Sequence, residues 1–267
     1  MPRLWPGHIL SYWEARYTLP MIIVANWKAN VDSVSTAKKL VVVSKKIADA
    51  KKHLVILAPS APHLGLLSVG NKTKVKFAAQ DISHTLGGAE TGETTAGVVA
   101  GVGATYVLIG HSERRALGET DETLLMKTRH ALAHGLTPIV CVGETVRDGE
   151  AHYLAQLRSQ LSAILAPLPL KERTRIVIAY EPVWAIGKHA SEGITPEDLT
   201  EMVSYIRKIL SDLYPGKTAE TTPILYGGAV ETANAKALTQ DTGVQGLLIG
   251  HTSSDPVSFV SLVKALG

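Results

Sequence analysis

Eight short apolar runs, separated by longer stretches with one polar face, constrain the fold of this chain more than any other feature. Such runs suit strands of a parallel sheet, which are buried on both faces and so lack the alternation of a half-exposed strand. The runs begin near the following residues: Ile22, Leu54, Val75, Tyr106, Pro138, Ile176, Ile224 and Leu247. The pattern therefore predicts an α/β chain with eight strands.

The stretches between most of the apolar runs have the spacing of amphipathic helices. In the first stretch one helical stripe is formed by Ala37, Leu40, Val41, Ser44, Ile47 and Ala48. Later, Thr195 and Pro196 followed by two acids are typical of a helix start. Eight strand-plus-crossover units predict a closed (β/α)8 barrel of eight parallel strands in a single domain. A doubly wound open sheet is the alternative, because counting units does not prove closure.

Composition limits the classes of partner. The net charge of +3 is small and dispersed over 267 residues, so we expect no nucleic-acid partner. No apolar run approaches the length of a membrane span, and we expect no membrane partner. Cys141 is the single cysteine, which leaves no internal disulfide and indicates a reducing, cytoplasmic location.

The chain divides into two parts by sequence pattern. Residues 21–267 carry the alternation and are predicted to be the (β/α)8 catalytic domain. Residues 1–20 are rich in Trp, Tyr and Pro and lack the apolar core of a signal peptide. They form either a genuine surface tail or a mis-called start, with Met21 as the true initiator.

The chemistry of a parallel barrel lies at the carboxyl ends of its strands. The apolar run of residues 176–179 ends in Tyr180, Glu181 and Pro182. A buried strand delivers Glu181 to the edge of the sheet, and Pro182 fixes the backbone that follows. Glu181 is therefore a candidate general base.

Two further strand ends carry polar residues. Asn26 and Lys28 point the same way if strand alternation continues, which suits an anionic substrate; a solvated lysine that ends a strand is the alternative. His111 follows an apolar strand and opens a predicted helix, whose N-terminus disfavours a charged imidazole. His111 is thus a candidate neutral hydrogen-bond donor. Ser112 and Glu113 follow it, and Glu113 is placed to pair with Lys28.

Glycines follow the last two predicted strands. The segments are Tyr226-Gly227-Gly228-Ala229 and Leu248-Ile249-Gly250-His251. Glycine lets backbone N–H groups approach an anion, and barrels often bind phosphate after strands seven and eight. The pair predicts a phosphate site, although either segment alone is also a plain tight turn.

Other chemistries find no support in the sequence. The ten histidines show no zinc spacing, no nucleophile elbow surrounds Ser112, and Cys141 suits a small buried residue. Gly101-Val102-Gly103 precedes a strand instead of following one, so it is weak evidence for a dinucleotide. We predict no metal and no cofactor.

These segments together resemble the triosephosphate isomerase family, of the bacterial type, over residues 21–267. The matching motifs are Asn26-Trp27-Lys28, Ala79-Gln80, Ser83-His84, Thr91-Gly92-Glu93, residues 110–115, Cys141-Val142-Gly143-Glu144, residues 179–187 and Tyr226-Gly227-Gly228. The resemblance implies a homodimeric TIM barrel that interconverts dihydroxyacetone phosphate and glyceraldehyde 3-phosphate without a cofactor, in glycolysis and gluconeogenesis.

The resemblance also implies roles for residues. Glu181 corresponds to the base and His111 to the electrophile, and Asn26 and Lys28 correspond to substrate-binding residues. The phosphate ligands it implies are Gly187, Ala229, Gly250 and His251. The loop around Thr91 corresponds to the family's dimer loop.

The chain departs from the family pattern in four places. The lid that follows Gly187 is longer and different, and its hinge glycine is missing. Ala229 replaces a serine, which removes a hydroxyl but keeps the N–H. His251 replaces a glycine, and it either crowds the phosphate or adds a charge that attracts it. Glu90 replaces an aromatic residue and puts a charge near the expected dimer interface.

Two other functions are compatible with the sequence. The unusual lid allows a different sugar-phosphate isomerase or lyase on the same barrel. A non-catalytic phosphate-binding scaffold has less support, because a scaffold has no need of Asn26, Lys28, His111 and Glu181 together.

Overall fold

Eight parallel strands close into a barrel in the computed structural model, which describes residues 21–51, 53–214 and 217–267. The strands are β1 (Ile22–Asn26), β2 (Leu54–Ala58), β3 (Lys76–Ala79), β4 (Tyr106–Ile109), β5 (Thr137–Val142), β6 (Val177–Tyr180), β7 (Ile224–Tyr226) and β8 (Gly246–Ile249). Each strand pairs with the next along the chain, and β8 pairs with β1. The (β/α)8 prediction is confirmed, and the open sheet is wrong. The predicted N-terminal extension, residues 1–20, lies outside the described residues.

Helices alternate with the strands and cover the outside of the barrel. They are α1 (Val34–Lys51), α2 (Ala61–Ser68), α3 (Ala96–Gly101), α4 (Ser112–Ala116), α5 (Asp121–Ala133), α6 (His152–Leu165), α7 (Leu170–Arg173), α8 (Pro196–Leu213), α9 (Thr218–Thr221), α10 (Ala235–Thr239) and α11 (Pro256–Ala265). Thr195 caps α8 by accepting from the Asp198 N–H, as predicted. In the described part of the chain, no helix is both long and apolar enough to cross a membrane.

The strands are buried on both faces, which explains why their sequences are almost wholly apolar. Val24, Ile56 and Leu108 belong to a cluster inside the barrel. Ile23 and Leu57, on the opposite face of the same strands, belong to the larger cluster between sheet and helices. Full burial of a side chain of this size contributes about 1.5–3 kcal/mol. The two layers hold the strand ends in fixed positions around the barrel mouth.

Barrel closure depends on a residue without a side chain. Gly246 begins β8 and pairs with Ile22 of β1. A Cβ at position 246 would collide with the carbonyl oxygen of Ile22 and lie 2.9 Å from its nitrogen. Glycine is therefore required where the last strand meets the first.

Candidate active site

Three predicted site residues meet at the carboxyl end of the barrel. Asn26 ends β1, His111 follows β4 and Glu181 follows β6. All three are buried, with exposed fractions of 4%, 6% and 1%. His111 Nε2 lies 3.4 Å from Glu181 Oε1. In the sequence, Ser112, which follows His111, already precedes that glutamate by 69 residues. The strand ends thus bring together an imidazole and a carboxylate that are far apart in the sequence.

The Glu181 carboxylate is held at one oxygen. Oε2 accepts a hydrogen bond from the backbone N–H of Ser112 at 3.1 Å, at the start of α4. Within the described residues Oε1 is buried without an aligned hydrogen-bond partner, although His111 Nε2 is close. A carboxylate fixed by one oxygen keeps a lone pair on the other with which to accept a proton.

The His111 ring is oriented by its own helix. His111 caps α4, and its Nδ1 accepts from the Glu113 backbone N–H at 3.3 Å. Accepting at Nδ1 requires a lone pair there, so this hydrogen bond assigns the ring proton to Nε2 and makes the imidazole the neutral form. Nε2, the nitrogen nearest Glu181, is therefore a donor, and its action on a substrate stays a prediction.

Lys28 is placed by an unusual backbone and not by strand alternation. The strand ends at Asn26, and Lys28 has a left-handed φ of 49°. Its N–H donates to Asn26 Oδ1 at 3.1 Å, and its carbonyl accepts from Gln80 Nε2 at 2.9 Å. The Lys28 ammonium lies 2.7 Å from Glu113 Oε1, so the predicted pair is present. The sequence analysis explained the direction of the Lys28 side chain by strand alternation, and that explanation was wrong because the strand ends two residues earlier.

Gln80 is a site residue to which sequence reasoning gave no role. It follows β3 directly, at the carboxyl end of a strand, and that position was the available signal. Its amide also donates to the Ala58 carbonyl at 2.9 Å, which ties the ends of β2 and β3 to the Lys28 backbone.

Glycine and cysteine allow neighbouring strands to pack against Glu181. A Cβ at Gly143 would collide with the Glu181 carbonyl, and one at Gly227 would lie 2.9 Å from its Cγ. Burial, followed by the charge and hydrogen bonding of Glu181, raises the pKa of the Cys141 thiol well above its ordinary value. The thiol is therefore protonated and is no nucleophile.

Among the described residues no group of three His, Cys, Asp or Glu side chains is arranged to hold a metal ion.

A second buried carboxylate anchors the chain beyond Glu181. Glu144 is fully buried, and its Oε1 accepts from Tyr180 Oη at 2.9 Å and from Trp184 Nε1 at 2.8 Å. Its carbonyl accepts from the Val183 N–H at 2.9 Å. Burial, and next the charge of Glu144, raise the pKa of Tyr180 strongly, so this phenol remains a donor. These bonds fix the segment that carries Glu181.

The family to which the chain is related follows from a comparison of sequences. Residues 21–266 match the model of the protein family described as triosephosphate isomerase. The chain belongs to the triosephosphate isomerase family. The match covers the whole barrel and all the site residues described above.

Individual triosephosphate isomerases are similar over nearly their full length. The protein from Coprinopsis cinerea is 38% identical over 251 residues, which cover 93% of this chain and 98% of that relative. The protein from Streptomyces coelicolor is 37% identical over 250 residues, covering 91% and 96%. The protein from Leifsonia xyli is 36% identical over 256 residues, covering 91% and 96%.

The segment that contains the departure from the triosephosphate isomerase pattern, after Gly187, lies between Glu181 and α8. It contains two 3-10 helices, Val183–Ala185 and Ala190–Glu192, and Gly187 between them has a left-handed φ of 74°. We call residues 182–195 the lid. The second half of the lid packs on the loop after β7, since a Cβ at Gly193 would lie 3.4 Å from that of Ala229.

The predicted phosphate loops lie at the same end of the barrel. Ala229 is buried, and a Cβ at Gly250 would lie 3.6 Å from Lys28 Cε. His251 is exposed and begins the 3-10 helix His251–Ser254. The β8 loop is thus next to Lys28. Phosphate binding by Gly187, Ala229, Gly250 and His251 stays a prediction.

Proposed function

We propose that this chain interconverts dihydroxyacetone phosphate and D-glyceraldehyde 3-phosphate by proton transfer through an enediolate. The observation that carries the proposal is the 3.4 Å separation of His111 Nε2 and Glu181 Oε1 at the mouth of the barrel. Membership of the triosephosphate isomerase family supports the same reaction. The barrel of residues 21–267 would then be the catalytic domain.

Glu181 acts as the base in this proposal. It removes the proton from the carbon next to the carbonyl and returns it to the neighbouring carbon. A general base contributes about 10²–10⁴-fold to a rate. Its oxygen Oε1 has the free lone pair for this step, and Ser112 holds the other oxygen.

His111 and Lys28 stabilise the charge that forms on the substrate oxygens. Neutral His111 donates from Nε2 to the carbonyl oxygen and carries protons between the two oxygens. The Lys28 ammonium, oriented by Glu113, offsets the negative charge of the enediolate. Asn26 supports the site by fixing the Lys28 backbone.

Phosphate and lid complete the proposed site. Backbone N–H groups of the loops with Ala229 and Gly250 bind the phosphate, with Gly187 in the lid and His251 at the rim. Lid closure excludes water, which prevents the enediolate from losing phosphate.

The assay of purified protein tests the proposal directly. We expect interconversion of the two triose phosphates without added metal or cofactor. Absence of turnover would contradict the proposal. A panel of longer phosphorylated ketoses and aldoses distinguishes the alternative isomerase, since that function requires faster turnover of a longer sugar. Tight binding of phosphoglycolate with no turnover would favour the scaffold.

A His111→Gln variant tests the electrophile. The amide keeps a donor but has no second nitrogen to exchange protons between the substrate oxygens. We expect kcat to fall by about 10²–10⁴-fold, the contribution of a side chain that transfers protons, with little change in phosphoglycolate affinity. An unchanged kcat would remove His111 from the mechanism.

We also propose that the protein is a cytoplasmic homodimer that associates through the loop around Thr91. Two exposed apolar side chains, Leu86 and Val98, support this surface, with exposed fractions of 71% and 58%. A cavity of about 440 Å³ lies beside it. Glu90 is exposed in the same loop. Light scattering over a range of concentrations and ionic strengths tests the dimer, which a monomer at all concentrations would refute.

A further inference from the structure

The tip of the lid carries a side chain that faces the barrel. His189 Nδ1 lies 3.8 Å from Oε1 of Glu231, in the loop that follows β7. The lid tip has a second ion pair, between Lys188 Nζ and Glu192 Oε1 at 3.8 Å, but both of its members belong to the lid. The contact between His189 and Glu231 therefore connects the lid to the barrel.

Glu231 stands on a loop that is fixed from two sides. Its N–H donates to Asn234 Oδ1 at 2.9 Å, and Asn234 Nδ2 donates to the Ala229 carbonyl at 2.9 Å. From the β8 loop, Thr252 Oγ1 donates to the Val230 carbonyl at 3.1 Å. The carboxylate is therefore presented by a rigid support, as a group that positions a moving segment requires.

Both ends of the lid are already held by other contacts. Val183 and Trp184 are bound to Glu144 at the first end. Ile194 is 5% exposed at the second end. The Tyr226 hydroxyl faces the N–H groups of Ile194 and Ala229, although neither is well aligned for a hydrogen bond. Burial raises the pKa of this hydroxyl, and the two N–H groups oppose that shift. Between these ends, the contact from His189 to Glu231 joins the tip to the loop after β7.

We propose that His189 and Glu231 form a latch, a pair of positioning residues that holds the lid of this chain over the bound triose phosphate. The latch rests on the proposed function. The charged groups that face His189 are Lys188 and Glu192 of the lid and Glu231 of the barrel.

The consequence of a looser latch is a measurable side reaction. When the lid opens over the enediolate, the electron pair of the enediolate expels phosphate by breaking the C–O bond, and the remaining enol becomes a three-carbon dicarbonyl. Both partners are accessible, with side chains exposed by 86% and 43%, so the effect is modest. An exposed ion pair shifts an equilibrium by about two- to five-fold.

A double-mutant cycle on the full-length chain tests the latch. The variants are His189→Ala, Glu231→Ala and the double variant, and the readout is inorganic phosphate released per isomerisation. We expect each single variant to raise this ratio about two- to five-fold, and the double variant to raise it no further. His189→Lys places a permanent cation opposite Glu231, so it should retain the low ratio that His189→Ala loses.

Lys188→Ala is the matched control, because it removes a cation from the same lid tip. The partner of Lys188, Glu192, belongs to the lid and not to the barrel. The effect of Lys188→Ala should be additive with that of Glu231→Ala. Additive effects of His189→Ala and Glu231→Ala would overturn the latch while leaving the isomerase proposal intact. A wild-type chain without turnover would overturn the proposed function. In that case calorimetry measures the affinity of each variant for phosphoglycolate. Independent effects of His189→Ala and Glu231→Ala on that affinity would reject the latch.

Discussion

Glu181→Gln is expected to lower kcat about 10²–10⁴-fold, the contribution of a general base, while the protein keeps its fold. The amide has the shape of the carboxylate, and its oxygen can still accept from the Ser112 N–H. It has no basic lone pair for the substrate proton. Steady-state kinetics in both directions measure the loss.

The control for this substitution is Glu122→Gln. Glu122 is exposed in the first turn of α5, so the same change of charge occurs away from the barrel mouth. Its kcat should match that of the wild type. Phosphoglycolate affinity of Glu181→Gln should stay within a few-fold of wild type. If the Glu181→Gln variant keeps its activity, another group is the base.

Gly246→Ala is expected to lower the free energy of unfolding by about 3 kcal/mol or more, because the added Cβ meets rigid backbone that cannot move aside. The added Cβ would collide with the Ile22 carbonyl at the seam between β8 and β1. At about 2–4 °C per kcal/mol for a chain of this size, the melting temperature should fall by roughly 6–12 °C. Calorimetry or circular dichroism at a fixed scan rate measures the shift.

Gly149→Ala is the matched control for the seam. An added Cβ at position 149 meets nothing within 4 Å, so this substitution tests the loss of backbone freedom alone. Its melting temperature should stay within about 2 °C of the wild type, since surface substitutions usually change stability by less than about 0.5 kcal/mol. Equal melting temperatures for the two variants would show that the seam tolerates a side chain.

The strand positions were largely predictable. Each of the eight strands begins within one residue of its predicted start. The reason is that strands buried on both faces are apolar throughout, so local composition reveals them. The buried stripe of α1, which includes Leu40 and Ser44, was predictable for a similar reason, because helical spacing separates its buried face from its wet face.

The site was predictable where chemistry and position coincide in the sequence. His111 and Glu181 each follow an apolar run, and the carboxyl ends of parallel strands share one edge of the barrel. Gln80 and Glu144 were missed as supports, because their roles depend on contacts with Lys28 and Trp184 that no local pattern reveals.

The sequence by itself determined which residues form strands and which polar groups lie at their ends, because burial and polarity act on each segment separately. Only the tertiary structure decided that β8 closes on β1, that Lys28 adopts a left-handed backbone, and that an imidazole nitrogen and a carboxylate oxygen lie 3.4 Å apart. Those facts depend on contacts between distant segments, which exist only when all eight strands have packed around one core.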